Sequence, residues 1–261
     1  RQARALSVIL GGTTVALVVG VPAGAFVGGA VGWRVTLAAI AVACLPALVA
    51  VLLATPVRPA GGGDGEPGTL RAELSVLRHR PVQLFATLAV LVNAATFCSF
   101  TYLAVVADDS AGLSGAQVPV LLALFGTGAF AGVALTGSLA DAHWRLLVAV
   151  AGPLLVVGWI VFGVGAGSLA AVWVMAPVMG ILSFTLGSTL ITRFIATAQD
   201  APTMAGSFAT VALNVGAVLG PVAGGVAVDA VGPLVTSAVF ALVAVLVWAA
   251  FSRGGRRPAS R

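Results

Sequence analysis

Long apolar runs, broken by short stretches that hold almost every charge, divide this chain into eight segments. They cover roughly 5–31, 35–54, 82–106, 117–138, 146–166, 170–191, 204–226 and 233–252. Each holds about 20 to 27 residues, enough as α-helix to cross roughly 30 Å of hydrocarbon. An all-α membrane protein with eight transmembrane helices is therefore expected. Gly32-Trp33-Arg34 leaves room only for a very tight turn between the first two spans. Pro22, Pro46, Pro177 and Pro221 fall in or near spans, where neighbouring helices or local adjustment satisfy the carbonyls that proline frees. The first span follows two arginines and contains Ala23-Gly24-Ala25, features a signal peptide shares. Its length exceeds an ordinary signal core, and its glycines return in a later helix, so it reads as a span.

One break is long. Thr55–Arg80 opens with Pro56, Pro59 and Gly61-Gly62-Gly63, the composition of a flexible linker. Leu70 to Leu77 is expected to form a short amphipathic helix on the membrane surface. The stretch has no motif-like feature and reads as a connection between two bundles.

Composition agrees with the bilayer. Hydrophobic residues make up 60% of the 261-residue chain and charged ones 8%, with a mean hydropathy of +1.12. A soluble domain of this size needs a charged shell that is missing here. The pI near 11.0 invites a nucleic-acid reading, but the 13 basic residues are all arginine and are scattered through the breaks. They read as topology information, and no nucleic-acid partner is expected. Arg34 stands with Asp108, Asp109 and Asp229 on one side, and the other twelve arginines fall opposite. Both termini and the 55–80 loop are thus expected in the cytoplasm. Cys44 and Cys98 lie inside apolar runs as small hydrophobes, and His79 and His143 lie in loops far from any second ligand. Neither a metal site nor a cofactor is expected.

A repeat emerges from the glycines. Gly20, Gly24, Gly28 and Gly29 return as Gly216, Gly220, Gly224 and Gly225, each at 216 − 20 = 196 residues. Four-residue spacing puts the missing side chains on one helix face, a surface for close packing. Two copies in one membrane chain predict two structural repeats, a common build of secondary transporters. If the first and seventh spans are equivalent, a repeat holds six helices and the second begins near Pro81. Its partner would then begin at 81 − 196 = −115, which calls for about four helices ahead of Arg1. The expected parent has twelve spans, with this chain an N-terminally truncated part carrying helices 5–12. Residues 1–54 would close the first six-helix half, 55–80 form the cytoplasmic central loop, 81–252 the second half and 253–261 a basic cytoplasmic tail.

These features resemble the major facilitator superfamily, and within it the twelve-span drug:proton antiporters. That branch carries Gly-x3-Gly-Pro-x2-Gly-Gly in its fifth helix. Here that copy reads Gly20-Val-Pro22-Ala-Gly24-Ala-Phe-Val-Gly28-Gly29, with the proline two positions early, while Gly216 to Gly225 with Pro221 matches in full. The family's Gly-x3-Asp-x2-Gly-Arg loop has its counterpart in Gly137, Asp141 and Arg145, with Trp144 replacing the usual glycine. Thr192-Arg193 and the run Ala198 to Pro202 are similar to actinobacterial exporters of the chloramphenicol-resistance type.

The resemblance implies a secondary active transporter in the cell membrane, monomeric and not an enzyme. Its expected task is proton-coupled efflux of a small hydrophobic or amphiphilic compound such as chloramphenicol by alternating access. A sugar or amino-acid exporter of the same superfamily is the alternative. A polytopic enzyme lacks any metal-ligand cluster, nucleophile–base pair or carboxylate dyad, and a channel lacks a charged ring or filter repeat. The glycine helices, with Pro22 and Pro221, are expected either to pack or to hinge at the contact between halves. Asp141 and Arg145 are expected as a cytoplasmic gate or as a cap and a topology signal.

In this family the first and fourth helices of each half face the cavity, here 82–106 and 170–191. Asn93, Thr96 and Phe100 share a stripe with Ala89, and Phe97 and Tyr102 lie nearby. Phe184 and Ser188, with Ser183 and Thr189, come from the second helix. Asn93 either contacts substrate or bonds another helix, since a mid-membrane carboxamide needs a partner. No span carries an ionisable residue near its centre. The proton-carrying group is therefore expected in the helices ahead of Arg1.

Overall fold

The computed structural model describes residues 20–54, 70–201 and 204–254. Helices joined by short turns make up these residues, with no strand among them. Helix α1 is Val21–Val31, α2 is Trp33–Ala54 and α3 is Leu70–Ser75. A single 3-10 turn, Val76–Arg78, leads into α4, Arg80–Ala111. Helical hydrogen bonding then runs from Gln117 to Gly165 with one break at His143 (φ −128°, ψ 20°). The break separates α5, Gln117–Gly137, from α6, Ala142–Gly165. Helices α7 (Leu169–Thr197), α8 (Ala205–Ala227) and α9 (Gly232–Gly254) complete the chain.

Seven of these helices are long and apolar enough to cross a membrane. Most of the first expected span lies outside the described residues, which retain only α1. Two helices outrun their expected ends. α4 continues through Asp108 and Asp109, and α7 continues past Arg193, because polar residues do not end a helix that leaves the hydrocarbon. What ends α4 is Gly112 in the left-handed region (φ 68°). There the Leu113 amide bonds the Ala107 carbonyl and the Gly112 amide bonds Asp108, while the Leu113 side chain is fully buried. That is the glycine-terminated helix end expected where a β-carbon would clash. Nothing comparable follows Gly137, so the backbone stays helical almost to His143.

By contacts the chain divides between Thr69 and Leu70. In the first unit α1 turns into α2 through Gly32 (φ 88°), and the Thr36 hydroxyl donates back to the Gly32 carbonyl at 3.1 Å. In the second unit α8 gives way to α9 through Gly232 (φ 79°), and Thr236 donates to the Gly232 carbonyl at 2.9 Å.

The second unit is a bundle of six long helices. Its core is built from large buried side chains such as Trp159, Phe162, Phe194 and Leu88. Its outer surface is no less apolar. Val157, Ile160, Val161 and Val164 of α6 and Val239, Leu242 and Leu246 of α9 are all exposed. A water-soluble monomer does not present apolar surface on this scale, whereas lipid tails cover it without cost.

Close backbone contacts hold the bundle together. A β-carbon on Gly220 would lie 2.9 Å from the Ala94 Cα and closer still to its carbonyl oxygen, and one on Gly216 would meet the Asn93 Cβ at 2.9 Å. Glycine is thus what lets α8 lie against α4. Gly128 and Gly132 of α5 do the same against Pro177, Ile181 and Thr185 of α7, and Gly180 returns the contact at Phe125 and Ala129. Thr136 and Thr185 lock this second pair, Thr136 donating to the Thr185 carbonyl at 3.0 Å and Thr185 to the Gly132 carbonyl at 3.2 Å.

Candidate functional site

Three residues expected in the cavity meet in one aromatic row near the middle of the bundle. Phe97 and Phe100, one turn apart on α4, stand edge to face with centroids 6.1 Å apart. Phe100 lies 4.8 Å from Phe125 of α5, and Phe125 lies 6.4 Å from Phe184 of α7. Phe125 is buried, and the other three are half-buried. Offset and edge-on pairs at these separations are favourable beyond simple burial. The row is uncharged, so it suits an apolar or aromatic molecule. Phe125 has no motif around it in sequence, and only its spatial neighbours single it out.

Two of the polar candidates, Asn93 and Tyr102, bond one helix to another. Asn93 donates through Nδ2 to the Leu213 carbonyl of α8 at 2.6 Å. Tyr102 donates its hydroxyl to the Pro221 carbonyl of α8 at 3.1 Å. Thr96 is buried and donates to Val92 of its own helix at 2.8 Å. Ser188 is half-buried, one turn beyond Phe184, and its carbonyl accepts the Thr192 hydroxyl at 3.0 Å. Ser183 is buried, and its hydroxyl has no hydrogen-bond partner. Asn93 and Tyr102 therefore sit on the α8 side of α4, and Phe97, Phe100 and Phe184 form the apolar row.

The two glycine strings have different surroundings. Gly224 packs on Cys98 and Tyr102, where an added β-carbon would meet the Cys98 sulfur at 2.8 Å, and one on Gly225 would meet the Tyr102 hydroxyl at 2.6 Å. With Gly216 and Gly220 they form one continuous contact with α4. In the first string Pro22 starts α1, and a β-carbon at Gly28 would meet only the Thr36 hydroxyl at 3.7 Å. Gly20, Gly24 and Gly29 have nothing within 4 Å among the described residues.

At the other end of the bundle, Gly137 is exposed at the end of α5, and Asp141 lies in helical backbone before the His143 break. Arg145 lies 5.3 Å from the Trp144 ring. The ring is shared, because the Arg193 guanidinium sits 4.5 Å from its centroid. Trp144 also meets Phe85 of α4 and Trp248 of α9 edge to face, each at 5.8 Å. The Arg193 Nε is buried with no hydrogen-bond partner, so the ring face is its main source of attraction. A tryptophan at the place of the family's glycine thus joins four helices under two arginines. In sequence Arg193 reads as a helix-end cation and as part of the Thr192-Arg193 resemblance, and neither reading points to Trp144.

Glu73 of α3 is buried, and its carboxylate accepts the Met204 amide at the start of α8 at 2.9 Å. A carboxylate from another element here does the work of a helix N-cap, in the position the helix dipole favours. His79 lies 3.8 Å from Asp200, with both side chains largely exposed. Among the described residues no group of three or more potential metal ligands comes together.

Residues 1–212 match the model of the Major Facilitator Superfamily. The chain belongs to the Major Facilitator Superfamily. The seven long apolar helices fit the multi-pass membrane build of that superfamily. A "Chloramphenicol resistance protein" of Streptomyces lividans is 49% identical to it over 252 residues, which cover 95% of this chain and 64% of that relative. The chain thus spans less than two-thirds of the length of that relative.

Proposed function

We propose that this superfamily member exports a small, uncharged amphiphile with an aromatic part, of which chloramphenicol is the leading example. The observation that carries the proposal is the 49% identity to a chloramphenicol resistance protein. The uncharged row of Phe97, Phe100, Phe125 and Phe184 supports it, since an aromatic compound stacks there and an anion gains nothing. Export follows alternating access, in which two helical bundles expose the site first to one side and then to the other.

Coupling to protons needs a group that changes charge within the membrane. The described helices have none near their centres. The proton carrier is therefore assigned outside the described residues. The protein works as a monomer in the cell membrane with both termini in the cytoplasm, as the arginine distribution favours.

The test is accumulation of labelled chloramphenicol by susceptible cells expressing the full-length protein. Lower accumulation than in control cells, restored by a protonophore, is expected. Unchanged accumulation with a well-expressed protein would refute the substrate, and lower accumulation that survives the protonophore would refute the coupling.

A further inference from the structure

A crevice of about 340 Å³ opens between α6 and α9, away from the aromatic row. Its floor includes Leu88 of α4 and Leu190 of α7. Leu88 and Phe97 are nine residues apart, about two and a half helical turns, so Leu88 and Phe97 face opposite sides of α4. The walls include Gly152 of α6 and Val245 of α9, and the missing side chain of Gly152 leaves the space between them unfilled, since a β-carbon there would come within 3.3 Å of the Val245 side chain. Around the opening Val150, Leu154, Leu242 and Leu246 are all exposed, which only lipid chains cover favourably.

One end of the crevice is charged. Trp248 leads to Ser252 and to the exposed Arg253 in the last turn of α9. No acidic residue lines the crevice, and none follows Asp229 in the chain, while Arg256, Arg257 and Arg261 add further positive charge. An arginine ending a membrane helix lies at the level of the lipid headgroups, where it attracts phosphate. A mainly apolar crevice that runs from the headgroup level into the bilayer, with a cation at its mouth, has the chemistry of one lipid molecule.

We propose that the crevice between α6 and α9 holds an acyl chain of an anionic phospholipid, with the phosphate on Arg253. The site is separate from the row assigned to substrate. A bound chain there fills the gap left in the contact between α6 and α9, which meet at Gly152 with Val245 and at Gly163 with Leu234, and so braces the outer wall of the bundle.

The test is native mass spectrometry of the full-length protein in detergent, with phosphatidylglycerol and phosphatidylcholine of identical chains in competition. The wild type should retain one phosphatidylglycerol in preference to phosphatidylcholine. Arg253→Ala should reduce that preference about fivefold, the value of one interfacial arginine. Gly152→Leu, which fills the crevice, and Ala249→Trp, which obstructs its rim, should each abolish retention of both lipids. Phosphatidylglycerol brominated in mid-chain should quench the wild type more than Trp248→Phe. Undiminished retention in both crevice variants, or unchanged preference in Arg253→Ala, would overturn the proposal. Displacement of the lipid by glycerol phosphate, or by chloramphenicol, would also overturn it, by showing a free-phosphate or substrate site instead.

Discussion

At Gly220 there is no space for a methyl group, because the Ala94 backbone of α4 occupies it. Gly220→Val should cost about 1 to 3 kcal/mol, the usual range for overpacking, read as a lower Tm in detergent. Gly187→Ala, whose β-carbon meets nothing within 4 Å, should leave Tm unchanged. Equal Tm values for the two variants would contradict the packing described. Asn93→Ala should cost about 0.6 kcal/mol, the average for a hydrogen bond between membrane helices, since it removes the bond to Leu213. Phe100→Ala breaks the aromatic row at its centre and should weaken chloramphenicol export several-fold without lowering expression. Full export by that variant would remove the row from the substrate path. Part of this residue-level picture is legible in the sequence. Gly216, Gly220 and Gly224 recur at four-residue spacing, and spacing alone identifies a packing face. Phe125 and Trp144 are not legible there, because their partners lie dozens of residues away and follow no period.

At the scale of the element, short contacts decide how helices begin and meet. A short helix forms at α3 where the sequence suggests one, but its Leu74 is exposed while its buried Glu73 bonds an amide 131 residues further on. Local pattern has no access to such a pairing. Glu73→Ala should uncap α8 at a cost of about 0.5 to 2 kcal/mol, read as faster hydrogen exchange at the Met204 amide. Exchange as slow as in the wild type would show that the cap is idle. The turns also bear on the repeat. Gly32 with Thr36 and Gly232 with Thr236 build the same motif, a left-handed glycine whose carbonyl takes a threonine hydroxyl from the following turn. These pairs are 232 − 32 = 200 residues apart, against 196 for the glycine strings. The difference of four matches the extra loop Val228-Asp229-Ala230-Val231 between α8 and Gly232. The two helix pairs thus share a string and a turn, with one short insertion between them.

For the whole molecule, apolar runs and arginine placement are enough to indicate a multi-pass helical membrane protein, because hydrocarbon thickness and backbone satisfaction leave few solutions. The helix ends are harder to read, since α4 and α7 carry their charges beyond the bilayer without stopping. The proposed duplication makes its own demand on the full-length protein. Gly24 should face a helix equivalent to α4, so Gly24→Val should impair export as severely as Gly220→Val. Normal export by Gly24→Val would argue against two equivalent bundles. The central claim is that this superfamily member moves an uncharged aromatic amphiphile against its gradient at the expense of protons. It is tested most directly in proteoliposomes holding the purified full-length protein, with labelled chloramphenicol on both sides and a pH step imposed across the membrane. Net movement of the label opposite to the proton flow, abolished when the pH difference is collapsed, is the expected result. A label distribution indifferent to the pH step would contradict the account.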